Sequence, residues 1–502
     1  MGDRVFRLYD TKTKQVKPLT TREPGHLRFY TCGPTVYSTA HVGNFRSFLT
    51  ADLIVRTAKA LGWKVTWVSN ITDVGHLTQD DVADGGGEDK MERALRSKEG
   101  QGFHNIWELA EHYTDVFLQD WNSLNLSEPD VRPKATQHVR EQILAVEQLI
   151  ASGHAYETPT GIYFSVESFP SYGELSGNTQ EQLMEAVRDV VVDDNKRQQA
   201  DFAVWKKDDK HLMQWYSPYG WGFPGWHIEC SVMARQYLGD TLDLHSGGED
   251  NIFPHHECEI AQSESLTGKP FCDHWVHTRF LMIEGQKMAK SAGNFYTVPM
   301  LAEKGIQPLA VRFALISAAF TKQLNVTNQA LVDAQGNVER MQRANAAAEA
   351  AIAAGQDGPD RLADSLPDLY QQALDAMCED LNTSVALAKA LEGAKAILRE
   401  ADGMSSATGD TAKAFLAQIN DLLGIVWPFR EGSLATTPAE QAAGVDAALI
   451  ESLIEERAAA KKAKNFATAD AIRKQIEEMG VELRDSPEGT TWHVKARLDF
   501  GG

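Results

Sequence analysis

The sequence has few cysteines and no long apolar run. Its 502 residues include five cysteines, an odd number without a CxxC pair, which argues against a disulfide framework and leaves reduced thiols or metal ligands. The longest apolar run, around Phe313 to Phe320, is too short to span a bilayer. The first residues, MGDRVFRLYD, contain neither an apolar signal core nor a myristoylation signal. We therefore expect a cytoplasmic protein without membrane attachment.

A surplus of basic residues is also absent. Lys and Arg number 49 against 70 Asp and Glu, which gives a formal net charge of −21. Because a phosphate backbone is bound by Lys and Arg, any function on nucleic acid has to use local basic patches. Hydrophobic residues make up 43% of the chain and charged residues 24%, as in ordinary globular proteins, and the length suits about two to four domains.

Two common nucleotide-binding patterns are missing or misplaced. No stretch satisfies the phosphate-binding pattern GxxxxGK[ST]. The stretch GWGFPG, Gly220 to Gly225, satisfies GxGxxG, but it follows a turn-rich segment instead of an apolar strand, and its proline would break the required helix. We therefore predict a loop there, and a second, glycine-rich loop at Asp80 to Lys90, DDVADGGGEDK.

A strand, a helix and a second strand follow one another near the N-terminus. RFYTC, Arg28 to Cys32, alternates like a buried strand, a helical pattern starts at about Val42 and stops at Gly62, and KVTWVSNIT, Lys64 to Thr72, is the next strand. This order predicts a βαβ unit of a parallel sheet, whose ligands gather at the carboxyl ends of the strands.

The rest of the chain changes character twice. A helical and polar segment over 98–215 indicates an insertion, after which sheet-like sequence resumes around Thr241 to Ser246. From about Ala330 alanine-rich amphipathic helices dominate, and from about Val445 a helix is followed by a hairpin pattern. The sequence therefore predicts an α/β domain, a helical bundle and a small C-terminal α+β module.

Two segments suit the phosphates of a nucleotide. His41-Val42-Gly43-Asn44 enters the first helix, where backbone N–H groups and the helix dipole favour anions; Gly43 permits close approach, and His41 and Asn44 can donate. EGQKMAKSAGN carries Lys287 and Lys290, which suit a reaction that expels pyrophosphate. The plain alternatives are a helix cap for the first segment and a solvated basic loop for the second.

The stretch PHHECEIAQSE, Pro254 to Glu264, suggests a metal site. Residues four apart on a helix share a face, so His255 with Glu259 satisfies the spacing for zinc, and His255 with Cys258 also remains possible. The HExxH pattern is incomplete because isoleucine replaces its second histidine, which disfavours a zincin-type protease. Further ligands would come from distant positions, with Cys32 and Cys230 as candidates. The spacing alone does not choose between these sets.

Together these motifs resemble the cysteinyl-tRNA synthetases, a family of class I aminoacyl-tRNA synthetases. TCGPTVYSTAHVGN resembles the first signature of the family, KMAKS resembles its KMSKS loop with alanine for serine, and GWHIECS and FPHHECEIAQSE resemble its zinc segments. NITD, LHSGGEDNIFP, DLNTSVALAKAL and KAKNFATADAIRKQI extend the resemblance nearly from end to end.

The resemblance implies a ligase that activates cysteine with ATP and transfers it to the 3′ end of tRNA(Cys). It implies that a single zinc ion per chain selects the substrate thiolate, so that no editing domain is needed. The implied zinc ligands are Cys32, Cys230, His255 and Glu259, and the implied amino-acid contacts are Gly33, Thr72, Trp226 and His245. ATP with Mg²⁺ would lie on His41, Gly43, Asn44, Gly247, Gly248, Asp250, Lys287 and Lys290.

The resemblance also assigns roles to the parts of a monomeric enzyme. The expected parts are a Rossmann-like catalytic domain in two halves, 1–97 and 216–275, a connective insertion at 98–215, a KMSKS-type loop and stem-contact region at 276–330, a helical tRNA-binding domain at 331–430 and a C-terminal anticodon-binding module at 445–502. In that module Lys461, Lys462, Lys464, Arg473 and Lys474 form a candidate tRNA patch, with a solvated helix face as the alternative.

Three other functions compete with this interpretation. An enzyme on the same catalytic domain could ligate cysteine to a small amine, but such an acceptor needs no distant helical domain. A catalytically inactive RNA-binding paralogue would not need His41, Lys287 and Lys290. A zinc hydrolase is the third, and the incomplete HExxH pattern weakens it.

Overall fold

The computed structural model describes residues 4–79, 86–178, 195–288, 294–428, 447–463, 465–479, 481–486 and 489–494. The strands are β1 (Arg7–Asp10), β2 (Gln15–Pro18), β3 (His26–Thr31), β4 (Lys64–Ser69), β5 (Leu77–Gln79), β6 (Gly86–Asp89), β7 (Ala155–Glu157), β8 (Gly161–Phe164), β9 (Phe202–Lys207), β10 (Trp215–Ser217), β11 (Gly220–Pro224), β12 (Leu244–Gly248), β13 (Trp275–Thr278), β14 (Leu281–Ile283), β15 (Gln286–Lys287), β16 (Leu324–Val326), β17 (Val481–Ser486) and β18 (Gly489–Val494). The α-helices are α1 (Val42–Ala60), α2 (Lys90–Arg96), α3 (Ile106–Ser123), α4 (Val139–Ala151), α5 (Trp226–Leu238), α6 (Glu257–Thr267), α7 (Val298–Glu303), α8 (Pro308–Leu315), α9 (Asn328–Ala354), α10 (Ser365–Cys378), α11 (Thr383–Arg399), α12 (Ser406–Leu423), α13 (Ala447–Lys462) and α14 (Phe466–Glu478). Among these described helices, none has the length and apolar character needed to cross a membrane.

The predicted βαβ unit is confirmed. β3 and β4 pair in parallel, and α1 connects them. The helix begins where His41 and Asn44 cap each other's backbone, and it ends just before Gly62, whose φ of 82° lies in the region that favours glycine. Phe45 and Leu49 on α1 are fully buried, so the apolar spacing read from the sequence is the face that packs inward.

A four-stranded parallel sheet forms the centre of the α/β part. Its strand order is β13-β12-β3-β4, and each neighbouring pair is parallel. β12 supplies the strand that the sequence predicts around Thr241 to Ser246. The Rossmann-like fold class is therefore confirmed, and the carboxyl edge of this sheet is the place to look for ligands.

Strands between Ala155 and Pro224 form a second, antiparallel sheet, and β5 and β6 form a separate hairpin; each corrects a loop prediction. The strand order is β10-β11-β9-β8-β7. The loop prediction for GWGFPG is wrong, because Gly220–Pro224 forms β11 and pairs with β9 and β10. The glycine-rich loop is wrong in part, because Gly86–Asp89 forms β6 against β5; residues 80–85 lie outside the described chain. In both places partner strands overrode the local turn composition.

The alanine-rich helices pack on the α/β part through a shared core. α9 packs against α8, α11 and α12, and α12 also packs against α1. One hydrophobic cluster runs from Phe29 in β3 to Leu422 in α12. The predicted helical region is confirmed, and it is continuous with the core of the catalytic sheet.

The C-terminal module has a small core of its own. Ile450, Ile472, Ile476 and Val481 are buried together, and β17 pairs with β18 in an antiparallel hairpin, so the predicted helix and hairpin are confirmed. The candidate basic patch lies on the solvent side: Lys461, Lys462, Arg473 and Lys474 are exposed, and Lys464 lies outside the described residues.

Three buried charges join α1 to the helical region. Asp52 and Arg56 lie on α1 and Arg312 lies on α8, and their side chains are 0%, 2% and 0% exposed. One carboxylate oxygen of Asp52 accepts from Arg56 Nε at 2.7 Å and from Arg312 Nη2 at 2.5 Å. The two guanidiniums also donate to the final carbonyl oxygens of α12, those of Asn420, Asp421 and Leu423. Positive charge at the carboxyl end of a helix is favourable, so the cluster fastens α12 to α1.

Asp52→Asn is expected to destabilise the protein by about 3–5 kcal/mol near neutral pH, because it leaves two buried guanidiniums without their charge partner. Burial alone raises the pKa of Asp52, but Arg56 and Arg312 lower it to about 2. A lowered folded-state pKa gives stability that is complete above about pH 4 and is lost as the pH falls toward about 2. Urea unfolding should therefore show a smaller difference between variant and wild type at about pH 3 than at about pH 7.

The half-exposed Asp240, which pairs with Arg235 and Lys269, provides the control for this experiment. Asp240→Asn should change the free energy of unfolding by less than about 1 kcal/mol. An Asp52→Asn difference that does not depend on pH would contradict the role given to the carboxylate charge.

Candidate active site

Predicted site residues follow the ends of neighbouring parallel strands. Cys32 comes directly after β3, Thr72 follows β4, and Gly247 and Gly248 end β12. α1 starts after β3, with His41 as its N-cap. Because parallel strands end at one edge of a sheet, their following residues converge there.

Cys32, Cys230, His255 and Glu259 form one buried cluster. A potential ligand atom of each lies within 4.8 Å of the others. Cys32 Sγ lies 4.0 Å from Cys230 Sγ and 3.4 Å from Glu259 Oε1, and His255 Nε2 lies 2.8 Å from the same oxygen. Two thiols, an imidazole and a carboxylate are ligands that zinc accepts in four-coordinate sites, so this donor set fits a zinc ion.

Glu259 and Cys258 are adjacent on helix α6, but their side chains point to different parts of the structure. His255 lies one turn before Glu259, just ahead of α6. Cys258 Sγ instead lies 3.3 Å from the hydroxyl of Tyr172, in the core of the inserted sheet. Of the two spacings that the sequence left open, the structure therefore puts Glu259 beside His255 and directs Cys258 elsewhere.

The cluster carries negative charge in the folded protein. Burial by itself raises the pKa of Glu259, but His245 and His255 lower it well below its usual range. Burial lowers the pKa of His255, while Glu259 and Cys230 raise it to about 10. A hydrogen bond with Cys32 lowers the pKa of Cys230 to about 6. The carboxylate and the thiolate are ligand forms that bind a divalent cation, whereas His255, protonated at neutral pH, has to release its proton to bind one.

Further histidines lie behind the cluster. His245 Nε2 lies 2.6 Å from Glu259 Oε2, so this predicted substrate contact is a buried neighbour of the carboxylate. His256 Nε2 lies 3.2 Å from Cys32 Sγ, and His256 Nδ1 lies 2.8 Å from His277 Nε2. Cys32, His245, His256 and Glu259 also form a candidate metal group. Sequence reasoning gave no role to His256 or His277, although the adjacent histidines of PHHE were a visible signal.

Trp226 lies beside the cluster and against another buried histidine. Its ring centroid is 4.4 Å from that of His255 and 4.0 Å from that of His76. His76 Nε2 lies 2.9 Å from Lys90 Nζ, and His76 Nδ1 lies 2.5 Å from Thr35 Oγ1. Because an ammonium only donates, Nε2 accepts and Nδ1–H donates to the threonine. Sequence reasoning missed His76, whose signal is its place shortly after NITD.

Asn70 connects the expected amino-acid contacts to the cluster. Its Oδ1 accepts from Gly33 N–H at 2.8 Å and lies 3.7 Å from Cys230 Sγ, while its Nδ2 donates to Thr72 Oγ1 at 3.1 Å. A Cβ on Gly33 would come within 1.5 Å of the Asn70 carbonyl oxygen, so only glycine fits. The NITD motif contains this asparagine, but its sequence alone assigned the side chain no role.

The two segments predicted to bind phosphate contact each other at the N-terminus of α1. Asn44 N–H donates to His41 Nδ1 at 3.2 Å, and His41 N–H donates to Asn44 Oδ1 at 3.0 Å. The first N–H of α1 donates to the carbonyl oxygen of Tyr296 at 2.9 Å. A Cβ on Gly43 would lie 3.2 Å from Met288 Cε, so the side chain of Met288, the residue after Lys287, packs directly over this glycine.

The remaining nucleotide contacts implied by the resemblance lie on two other segments, the turn after β12 and the KMAKS segment. Gly248 N–H donates to Asn251 Oδ1 at 2.9 Å in the turn that also contains Asp250. A Cβ on Gly247 would lie 2.9 Å from that same oxygen, so the turn packs without space for a side chain. Lys287 is exposed in β15, and Lys290 lies outside the described residues.

Comparison with known proteins gives concordant matches. A family model described as tRNA synthetases class I (C) catalytic domain matches residues 18–336, and one described as Cysteinyl-tRNA ligase anticodon binding domain matches residues 447–492. The chain is 53% identical to a cysteine–tRNA ligase of Salinibacter ruber, over 99% of this chain and 100% of the relative. It is 39% identical to that of Chlorobaculum tepidum, over 98% of this chain and 99% of the relative.

A solved structure matches the fold. The methionyl-tRNA synthetase of Mycobacterium tuberculosis in complex with methionyl-adenylate aligns with a TM-score of 0.56, over 80% of this chain and 92% of that chain. At 16% sequence identity this likeness concerns the fold alone.

Proposed function

Because the chain belongs to the cysteine–tRNA ligase family of class I aminoacyl-tRNA synthetases, it is a ligase that joins cysteine to tRNA, and we propose that it does so in two steps. Cysteine and ATP first give cysteinyl-adenylate and pyrophosphate, and the cysteinyl group then passes to the 3′ end of tRNA(Cys). The observation that carries the proposal is the buried Cys32, Cys230, His255 and Glu259 cluster close to Trp226 and Asn70.

Cys32, Cys230, His255 and Glu259 would hold a zinc ion. A zinc ion at this place would acidify the thiol of the substrate and prefer its sulfur to the hydroxyl of serine, which makes a separate editing site unnecessary. His245 keeps the Glu259 carboxylate oriented through its 2.6 Å hydrogen bond, as outer partners of metal ligands commonly do.

The remaining pocket residues would hold the amino acid against this site. The Trp226 ring, which stacks on His76, would form one wall of the pocket, and Gly33 and Thr72 are held by hydrogen bonds with the Asn70 side chain. His245 would act on the substrate only through Glu259, because it is fully buried behind that carboxylate.

The activation step would place negative charge at the N-terminus of α1. A carboxylate oxygen of cysteine attacks the α-phosphorus of ATP, which enters with Mg²⁺ as a cosubstrate, and the bond to pyrophosphate breaks. His41 and Asn44 face the phosphates, and Lys287 and Lys290 would stabilise the charge that grows on the leaving group. Gly43, Gly247, Gly248 and Asp250 would line the nucleotide without obstructing it.

The transfer step needs a surface for tRNA outside the sheet. The terminal ribose hydroxyl attacks the carbonyl carbon of the adenylate, and AMP leaves. The helical region and the C-terminal module would bind the tRNA body, the latter through Lys461, Lys462, Lys464, Arg473 and Lys474. The domain boundaries given above and the monomeric state stay predictions.

The purified protein is expected to exchange pyrophosphate into ATP only when cysteine is present, and to charge tRNA(Cys). Serine should show a kcat/KM about 10⁴-fold lower, the level needed where no editing occurs. Exchange without tRNA charging would favour a ligase for a small amine. Binding of tRNA without exchange would favour an inactive paralogue, and either result contradicts the proposal.

A further inference from the structure

The turn between β13 and β14 is held from two sides. Arg46, on the second turn of α1, donates from Nη1 to the carbonyl oxygens of Arg279 at 2.6 Å and Phe280 at 3.1 Å. Glu249, next to Gly248, accepts the Phe280 N–H at 2.5 Å and the Arg279 Nη1 at 2.6 Å. The Phe280 backbone is therefore bound at both its N–H and its carbonyl.

The Arg46 guanidinium donates hydrogen bonds to backbone carbonyl groups of two chain segments. Besides the Arg279 and Phe280 carbonyls, its Nη2 donates to the carbonyl oxygens of Ala319 at 3.1 Å and Lys322 at 2.7 Å. Arg46 is only 3% exposed. Buried carbonyl groups need such partners, and a planar guanidinium can join two chain segments where a single ammonium cannot.

The two bound segments lead into the small sheet that carries Lys287. β14 follows Phe280 and pairs with β15, where Lys287 lies opposite Met282. β16 follows Lys322 and pairs with β14 in parallel. Lys287 Nζ lies 5.1 Å from the centroid of the Phe280 ring, so the residue fixed at its backbone also contacts the ammonium group.

We propose that Arg46 and Glu249 are positioning residues for Lys287. Arg46 lies on the helix that begins with the HVGN segment, and Glu249 lies in the turn of Gly247, Gly248 and Asp250. Both residues bind the Arg279–Phe280 turn. They thereby fix the position of Lys287 relative to the HVGN segment and to the glycine turn after β12 before ATP binds. This inference rests on the proposed function, because it takes Lys287 as the group that meets the departing pyrophosphate.

A double-mutant cycle with Lys287 tests the proposal. Glu249→Ala should lower kcat/KM for ATP in cysteine-dependent exchange by about 10–100-fold, the value of a hydrogen bond to a charged group. In the Lys287→Ala background the same substitution should change it by less than about 3-fold, because its effect acts through the lysine. Glu249→Gln should recover most of the activity, since its amide oxygen still accepts the Phe280 N–H.

A parallel cycle with Arg46→Lys guards against a folding defect in one variant. The KM for cysteine, the zinc content and the melting temperature are measured for each protein, and Arg235→Gln, which removes an exposed ion pair with Asp240, is the control. Equal losses in both backgrounds would overturn the positioning role while wild-type exchange still supported the ligase. No exchange by the wild type would overturn both.

Discussion

Lys287→Ala is expected to lower kcat for cysteine-dependent pyrophosphate exchange by about 10²–10³-fold, the usual effect of removing one donor to a charge that develops in the transition state. The lysine directly precedes Met288, whose side chain packs over Gly43 in the first turn of α1. The KM for cysteine should stay within about 3-fold of wild type, because the change affects the transition state more than amino-acid binding.

Lys395→Ala is the matched control, because Lys395 is an exposed lysine on α11 within the helical region. It should leave exchange unchanged. If Lys287→Ala raised only the KM for ATP and left kcat intact, the lysine would be a simple binding residue, and its proposed role in pyrophosphate departure would be wrong.

Cys230→Ser is expected to reduce the affinity for zinc by more than about 100-fold, because loss of an outer partner alone already costs about 10–100-fold. The preference for cysteine over serine should fall with the metal content, since the same ion is proposed to select the thiolate. Metal analysis of the purified protein and exchange with both amino acids measure the two effects.

Cys258→Ser and Glu259→Gln make this test specific. Cys258 is one residue from Glu259 on α6, but its thiol contacts Tyr172, so its replacement should leave zinc and selectivity unchanged. Glu259→Gln should resemble Cys230→Ser. Retention of zinc and of cysteine preference in Cys230→Ser would show that the ion uses the alternative group with His245 and His256.

The part of the fold that depends on local pattern could be predicted from the sequence. Apolar spacing from Phe45, the His41 cap and the stop at Gly62 define α1 with little tertiary help. The parallel sheet follows from strand, helix and strand in that order. GWGFPG could not be predicted, because its glycines favour a turn and only pairing with β9 and β10 makes it a strand.

The candidate site could likewise be predicted from the sequence only in part. Motif resemblance named the four residues of the cluster, while spacing left Cys258 and Glu259 equal until the phase of α6 was known. The sequence could not predict the roles of Asn70 and His76, because their contacts join residues far apart along the chain. The same holds for the hydrogen bonds by which Arg46 and Glu249 hold the Arg279–Phe280 turn. Asn, Arg and Glu usually lie on protein surfaces, so their residue types gave no indication of burial at the site, and only the place of His76 shortly after NITD was a visible signal.

The three buried charges on α1 and α8 indicate whether the matched catalytic domain could fold without the helices that follow it. The match to the class I catalytic domain ends at residue 336, yet Arg56 and Arg312 donate to carbonyl groups of residues 420–423. A fragment cut at the end of that match would lose the α12 carbonyl groups that accept from these two guanidiniums, and it would expose the apolar residues of the shared core that pack on α12. Residue 336 is therefore not a boundary of independent folding. In this protein the helices that follow it form part of the same core as the parallel sheet.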